Sequence, residues 1–233
     1  APLDPASAYR PADCARPIEQ TASPGPADVG LELTRQYYLR VVAARDGSPA
    51  ARAGIRSGDY VRAINSRATR DMSAVEGMRL MQGAAGSKLA LLVIRGNAAE
   101  PHSLELVREA PAVPTVTGKI VRPGAGLVRI PAFASTTPAQ VREQFAELRK
   151  QGAEQLLIDL RGTAEGALDD GIAAARLFVA KGVLATRESR AGKTPIEAGA
   201  GDGSLTAPIV LLVDNGTSGA AELFAAALVG NAH

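Results

Sequence analysis

The sequence predicts an α/β protein (α+β overall) in two parts: a small β-barrel-like domain with two helices, then an α/β core with a mixed or parallel sheet. Three observations carry that reading. Short β-rich runs separated by glycine turns fill residues 29–109. From residue 110 to 233, apolar strand-like runs alternate with segments of helical periodicity. Between them, Pro111 to Pro114 reads as a linker. Residues 1–28, with Pro2, Pro5, Pro11, Pro17, Pro24 and Pro26, read as an extended N-terminal segment and equally as a partly disordered tail.

Composition narrows the function classes. Hydrophobic residues make up 46% of the 233, enough to fill a core, but aromatics are only 3% and Trp is absent. Packing therefore rests on Val, Leu, Ile and Ala. The net charge of +2 is spread along the chain, and the longest basic cluster is Arg149-Lys150. Nucleic-acid binding needs a basic stripe interleaved with stacking aromatics, and the sequence has none. Cys14 is the only cysteine, which excludes an intrachain disulfide. With His102 and His233 as the only histidines, a Cys-based zinc site is also excluded, and no metal or cofactor is expected. No apolar run reaches 18 residues, so no transmembrane segment is expected. The opening Ala1-Pro2-Leu3 fits a processed start.

Element by element, Gly30–Leu33 and Tyr38–Val42 read as strands around a polar turn. Ser48 caps a short helix with Pro49 at its first position and Gly54 at its exit. Tyr60–Ile64 is a strand, and Ser73–Gln82 is a helix with Val75 and Met78 on one face. Lys88–Arg95 and Ser103–Arg108 are further strands. In the second part, Gly126–Ile130 and Gln155–Leu160 are strands. Thr137-Pro138 caps a helix carrying Val141, Phe145 and Leu148. Asp169-Asp170 open a helix containing Ile172, Ala175 and Val179, with acidic residues that complement its dipole. Ile209–Val213 is a continuous apolar run, the mark of a strand covered on both faces. Glu222–Val229 is helical.

The stretch from Gly47 to Asp59, followed by Val61-Arg62-Ala63-Ile64-Asn65, resembles a PDZ domain of the bacterial protease type. That resemblance implies peptide binding by strand addition to a sheet edge. Backbone N–H groups of the loop holding Gly30, Leu31, Glu32 and Leu33 would hold a terminal carboxylate. Leu31 and Leu33 would line the pocket opposite Val75 and Met78. On the residues alone, these four apolar side chains read equally as core.

Ile158–Asp169 resembles the strand and glycine turn of the C-terminal processing proteases (tail-specific proteases, peptidase family S41), and Val213–Leu223 resembles their nucleophile turn. Asp4–Pro11 is similar to the segment that precedes the PDZ domain there. The resemblance implies a serine endopeptidase with a Ser–Lys site, acting on proteins or peptides through their C-termini in the periplasm or cell envelope. Ser218 is then the candidate nucleophile, with Gly166 and Gly219 as backbone oxyanion donors.

Three departures stand out. Aligning Glu222 with the family glutamate puts Gly219 where the serine belongs, with Ser218 and Thr217 one and two positions early. Glu165 replaces the first glycine of the pair that Gly166 completes. The family's lysine falls beyond His233, so the core is expected to be incomplete; Lys181 and Lys193 read as surface lysines. Ser218 reads equally as a helix cap, and Gly166 equally as a plain turn glycine. The departures leave open a second class, a catalytically impaired peptide-binding or adaptor protein, and the residues do not decide whether the chain is a homo-oligomer.

Overall fold

The computed structural model describes residues 25–95 and 100–231. The stretch Asp4–Pro11, Cys14 and His233 lie outside the described residues. The chain divides into two compact units, Ala1–Val113 and Pro114–His233.

In the first unit, a hairpin of β1 (Leu31–Gln36) and β2 (Tyr38–Ala44) leads into helix α1 (Pro49–Arg52). Strands β3 (Tyr60–Ile64) and β4 (Arg67–Ala68) follow, then α2 (Ala74–Met81), β5 (Lys88–Ile94) and β6 (His102–Val107). The Ser48 cap read from sequence forms as expected: Ser48 Oγ accepts from Ala51 N–H at 3.2 Å with Pro49 in the first turn. Ser73, read from sequence as the first helical residue, is instead the N-cap of α2, its Oγ accepting from Glu76 N–H at 3.2 Å.

The sheet is antiparallel, in the order β1-β2-β3-β5-β6, with β4 beside β3. It is not a closed barrel, which corrects that expectation. Among the described residues its outer strands meet only through one bridge beyond their ends, where Asp28 and Glu109 exchange hydrogen bonds of 3.0 and 2.9 Å. One bridge is not a ladder, so β1 keeps an open outer edge. Leu39, Ile64, Met81, Leu89 and Leu91 are fully buried and form the centre of the core.

The second unit holds β7 (Thr117–Arg122), β8 (Ala125–Arg129), α3 (Thr137–Lys150), β9 (Gln155–Asp159) and α4 (Leu168–Ala175). Then come β10 (Val183–Ser189), β11 (Gly192–Glu197), β12 (Ile209–Leu212) and α5 (Ala220–Gly230). The main sheet runs β12-β9-β8-β7: β12, β9 and β8 are parallel, and β7 closes the far side antiparallel. β10 and β11 form a separate hairpin. Phe224 of α5 packs between Phe133 and Phe178, with ring centroids 5.4 and 5.9 Å away, and all three are buried.

Four local readings need correction. Thr137 does not cap α3; it lies inside the first turn, and its hydroxyl accepts from Ala134 N–H at 2.9 Å. Val179 lies beyond the end of α4, although it is buried. The run at Ile209 is not covered on both faces. β12 ends the sheet order, and Val210 and Val213 are about half exposed. The turn between β1 and β2 is a single residue, Tyr37, held at φ 67°.

Candidate functional site

In the second unit, the turn between β12 and α5 is tied to the loop after β9. Asp214 is the centre of the tie. Its Oδ1 accepts from Gly162 N–H at 2.8 Å and from Gly216 N–H at 2.9 Å. Thr217 Oγ1 accepts from Asp214 N–H at 3.0 Å and donates to the Leu160 carbonyl at 2.9 Å. Ser218 N–H donates to the Thr163 carbonyl at 3.0 Å. Thr163 is fully buried in turn, donating to the Ile130 carbonyl at 2.7 Å and accepting from Arg129 at 2.8 Å. Two segments more than fifty residues apart are thus fixed by side-chain-to-backbone bonds.

This network sorts the candidate hydroxyls. Thr217 has one proton and spends it on Leu160, so its oxygen serves the turn. Ser218 Oγ has no hydrogen-bond partner among the described residues, so it does not act as a side-chain cap of α5. The N-cap of α5 is Gly219, at φ 59° and ψ −119°, a conformation that strains any residue with a Cβ. A Cβ there would have room, since its nearest neighbour would be the Ala164 carbonyl at 3.8 Å. Ser218 N–H is spent on Thr163, which leaves Gly219 and Ala220 as the first residues whose amides face the helix end.

Gly166 sits at φ 131° beside Phe133, where a Cβ would lie 2.3 Å from the Phe133 carbonyl. Only glycine fits. The Glu165 carbonyl accepts from Phe133 N–H at 3.0 Å, which fixes that loop's far side. Lys181 is exposed, and Lys193 is exposed and pairs with Glu188 at 3.3 Å. His102 is exposed on β6, away from any buried triad geometry. No cluster of three metal-ligating side chains occurs among the described residues.

Asp159, at the end of β9, is the buried charge under this loop. Its carboxylate takes both guanidinium arms of Arg161, at 2.9 and 2.7 Å. That pairing holds its pKa below the usual carboxylate range, against a smaller upward push from burial.

In the first unit, Gly30 is buried at φ 75°, and a Cβ there would overlap Ser48. Its N–H already donates to Asp28 Oδ1 at 2.8 Å, and that carboxylate also pairs with Arg45. Sequence reasoning missed this internal carboxylate, although an Asp two residues before a turn glycine is a recognisable local signal. Leu31 and Leu33 are buried in the core and Glu32 is half-buried. Helix α2 lies against β1, with Gly77 packed onto Leu33 and Leu39. Met78 joins the same core, and Val75 is exposed. The outer edge of β1 thus runs beside α2. The end of α2 is pinned by buried Arg108, whose guanidinium donates to the carbonyls of Leu80 and Met81, both at 2.9 Å. Arg108 was read from sequence only as the end of a strand.

Residues 124–232 match the family model for peptidase family S41, and residues 40–95 match that for a PDZ domain. The chain is 29% identical over 227 residues to the carboxy-terminal processing protease CtpA of Bacillus subtilis, covering 97% of this chain and 48% of that protein. It is 31% identical over 219 residues to the chloroplastic C-terminal processing peptidase of Tetradesmus obliquus, covering 86% and 47%. Among solved structures, it is similar to the photosystem II D1 C-terminal processing protease, with TM-score 0.81 and 29% identity over 95% of this chain and 62% of that one. The chain spans about half the length of the curated relatives it matches.

Proposed function

From a chain that belongs to peptidase family S41 and carries a PDZ domain, we propose a serine endopeptidase of the C-terminal processing type. In this reading a groove between β1 and α2 takes the C-terminal end of a protein or peptide as an added strand. Ser218 is the nucleophile of a Ser–Lys site, and the amides of Gly219 and Gly166 stabilise the oxyanion. The observation that carries the reading is the Asp214–Thr217 tie. It consumes the neighbouring hydroxyl and leaves that of Ser218 beside the N-terminus of α5, where the helix dipole favours negative charge. A location in the periplasm or cell envelope goes with this reading and rests on kinship alone.

A second reading, a catalytically impaired peptide-binding or adaptor protein, is favoured by one observation. Gly219 holds the strained cap position with empty space where a side chain would stand. One experiment separates the two. An unfolded protein with an apolar C-terminus is incubated with the full-length protein, and products are read by mass spectrometry. Cleavage that disappears in Ser218→Ala supports the nucleophile. Peptide binding without cleavage, with hydrolysis gained in Gly219→Ser, supports the impaired reading.

A further inference from the structure

The far end of β1 carries a feature that the peptide-binding reading does not use. Tyr37 is the single residue between the paired Gln36 and Tyr38, and it sits at φ 67° with 62% of its surface exposed. An exposed aromatic residue held in the left-handed region is strained, and glycine would serve the turn with less strain. Its ring meets that of Tyr38 edge to face at 5.0 Å. Arg70 lies over the Tyr37 ring at 4.8 Å, and Arg62 over the Tyr38 ring at 5.9 Å. The four side chains form a ladder, Arg62–Tyr38–Tyr37–Arg70.

The ladder is held in place. Thr69, fully buried, donates its hydroxyl to the Val61 carbonyl at 2.5 Å, and its N–H donates to the Arg62 carbonyl at 3.0 Å. This anchors Arg70 next to the β1–β2 turn. The ladder is also electrostatically unbalanced. Arg67 is neutralised by Glu76 at 2.9 Å. Arg35, Arg62 and Arg70 have no carboxylate within ion-pair distance among the described residues, although Asp71 is exposed nearby.

We propose that this ladder binds acidic side chains of the same peptide whose C-terminus lies at the start of β1, opposite Leu31. The proposal rests on the groove reading and adds a substrate class to it. The geometry fixes the spacing. A strand added antiparallel to β1 with its last residue opposite Leu31 places the residue five before it opposite Gln36 and the residue six before it at Tyr37. The acidic side chains therefore belong about five to seven residues upstream of the C-terminus. Carboxylates there would meet guanidinium groups already oriented by the aromatic faces beneath them.

The test uses fluorescein-labelled decapeptides ending in Val-Ala, with the 233-residue chain and fluorescence anisotropy as the readout. One peptide carries Glu at the fifth to seventh positions before the last residue, and a matched one carries Gln there. A third is the Glu peptide with an amidated C-terminus. The Glu peptide should bind about five- to tenfold more tightly than the Gln peptide at low salt, and the gap should close as ionic strength rises. Arg70→Gln and Tyr37→Gly should each reduce the gap while leaving the Gln peptide's affinity unchanged. Tyr37→Gly suits the backbone at that turn, so its effect on binding is separable from folding. Equal binding of the Glu and Gln peptides overturns the acidic preference but leaves the groove reading standing. Glu-peptide binding that ignores C-terminal amidation overturns the shared register. No binding by any peptide overturns both readings.

Discussion

Arg108→Met removes four hydrogen bonds from inside the first unit while keeping most of the side chain's apolar bulk. The guanidinium donates to the carbonyls of Met81, Leu80 and Lys88 at 2.9, 2.9 and 3.0 Å, and to Ser87 Oγ at 3.0 Å. Leu80 and Met81 end α2, so a positive charge there also complements the helix dipole. Burial pushes the Arg108 pKa down, yet a guanidinium stays protonated at any working pH. The charge is therefore held at a desolvation cost that the carbonyls offset. Bonds to a charged donor contribute about 1.5–3 kcal/mol each before that cost. After it, and with water able to reach some of the freed carbonyls, the net loss is about 2–4 kcal/mol. For a domain of this size, each kcal/mol moves Tm by about 4–8 °C. Thermal melts followed by circular dichroism should show the first unit's transition falling by roughly 10–30 °C. Arg108→Lys, with a charge but no planar fork, should fall between. A loss below about 1 kcal/mol would refute the claim that Arg108 pins the helix end.

Asp159 gives a pH signature. Its folded pKa lies below the unfolded value of about 3.9, so its pairing with Arg161 stabilises the protein above roughly pH 4 and is lost as pH falls through the lower folded pKa. Urea titrations should show Asp159→Asn less stable than the wild type at pH 7, with the difference shrinking as pH falls below the unfolded value and through the lower folded one. A difference that persists in acid would assign the effect to packing. Gly166→Ala should destabilise the second unit by more than 2 kcal/mol in the same assay, because the added methyl meets backbone at 2.3 Å and φ is 131°. A smaller loss would mean that the loop moves freely.

Legibility in the sequence followed the range of the interactions. The Ser48–Pro49 cap is local, and its chemistry is complete within four residues. The strand β7 was missed, although Pro123-Gly124 between Arg122 and Ala125 is a turn signal flanked by β-type residues. The β10–β11 hairpin was missed because its outer residues are mostly exposed and polar, so no apolar alternation marks it. Arg108 and Asp214 were invisible for a different reason. Their partners lie 20 to 28 and up to 52 residues away, and a side chain bonded to distant backbone leaves no periodic trace.

The candidate catalytic turn shows the same division. Glycines 166 and 219 were read as special from sequence, and both occupy positive φ. What sequence could not supply was the use of each hydroxyl. Thr217 and Ser218 are adjacent and chemically alike, and spacing alone treats them as alternatives. The fold separates them, because one hydrogen bond to Leu160 takes the only proton Thr217 has. The same tie that removes Thr217 also fixes the amides around Ser218, by holding Gly162 and Gly216 on one carboxylate. Positioning of the turn is thus independent of whether a nucleophile stands at 218 or 219. A glycine can occupy the strained cap at 219 without collapse of the loop opposite, which is why the two functional readings share one scaffold and differ only in hydrolysis.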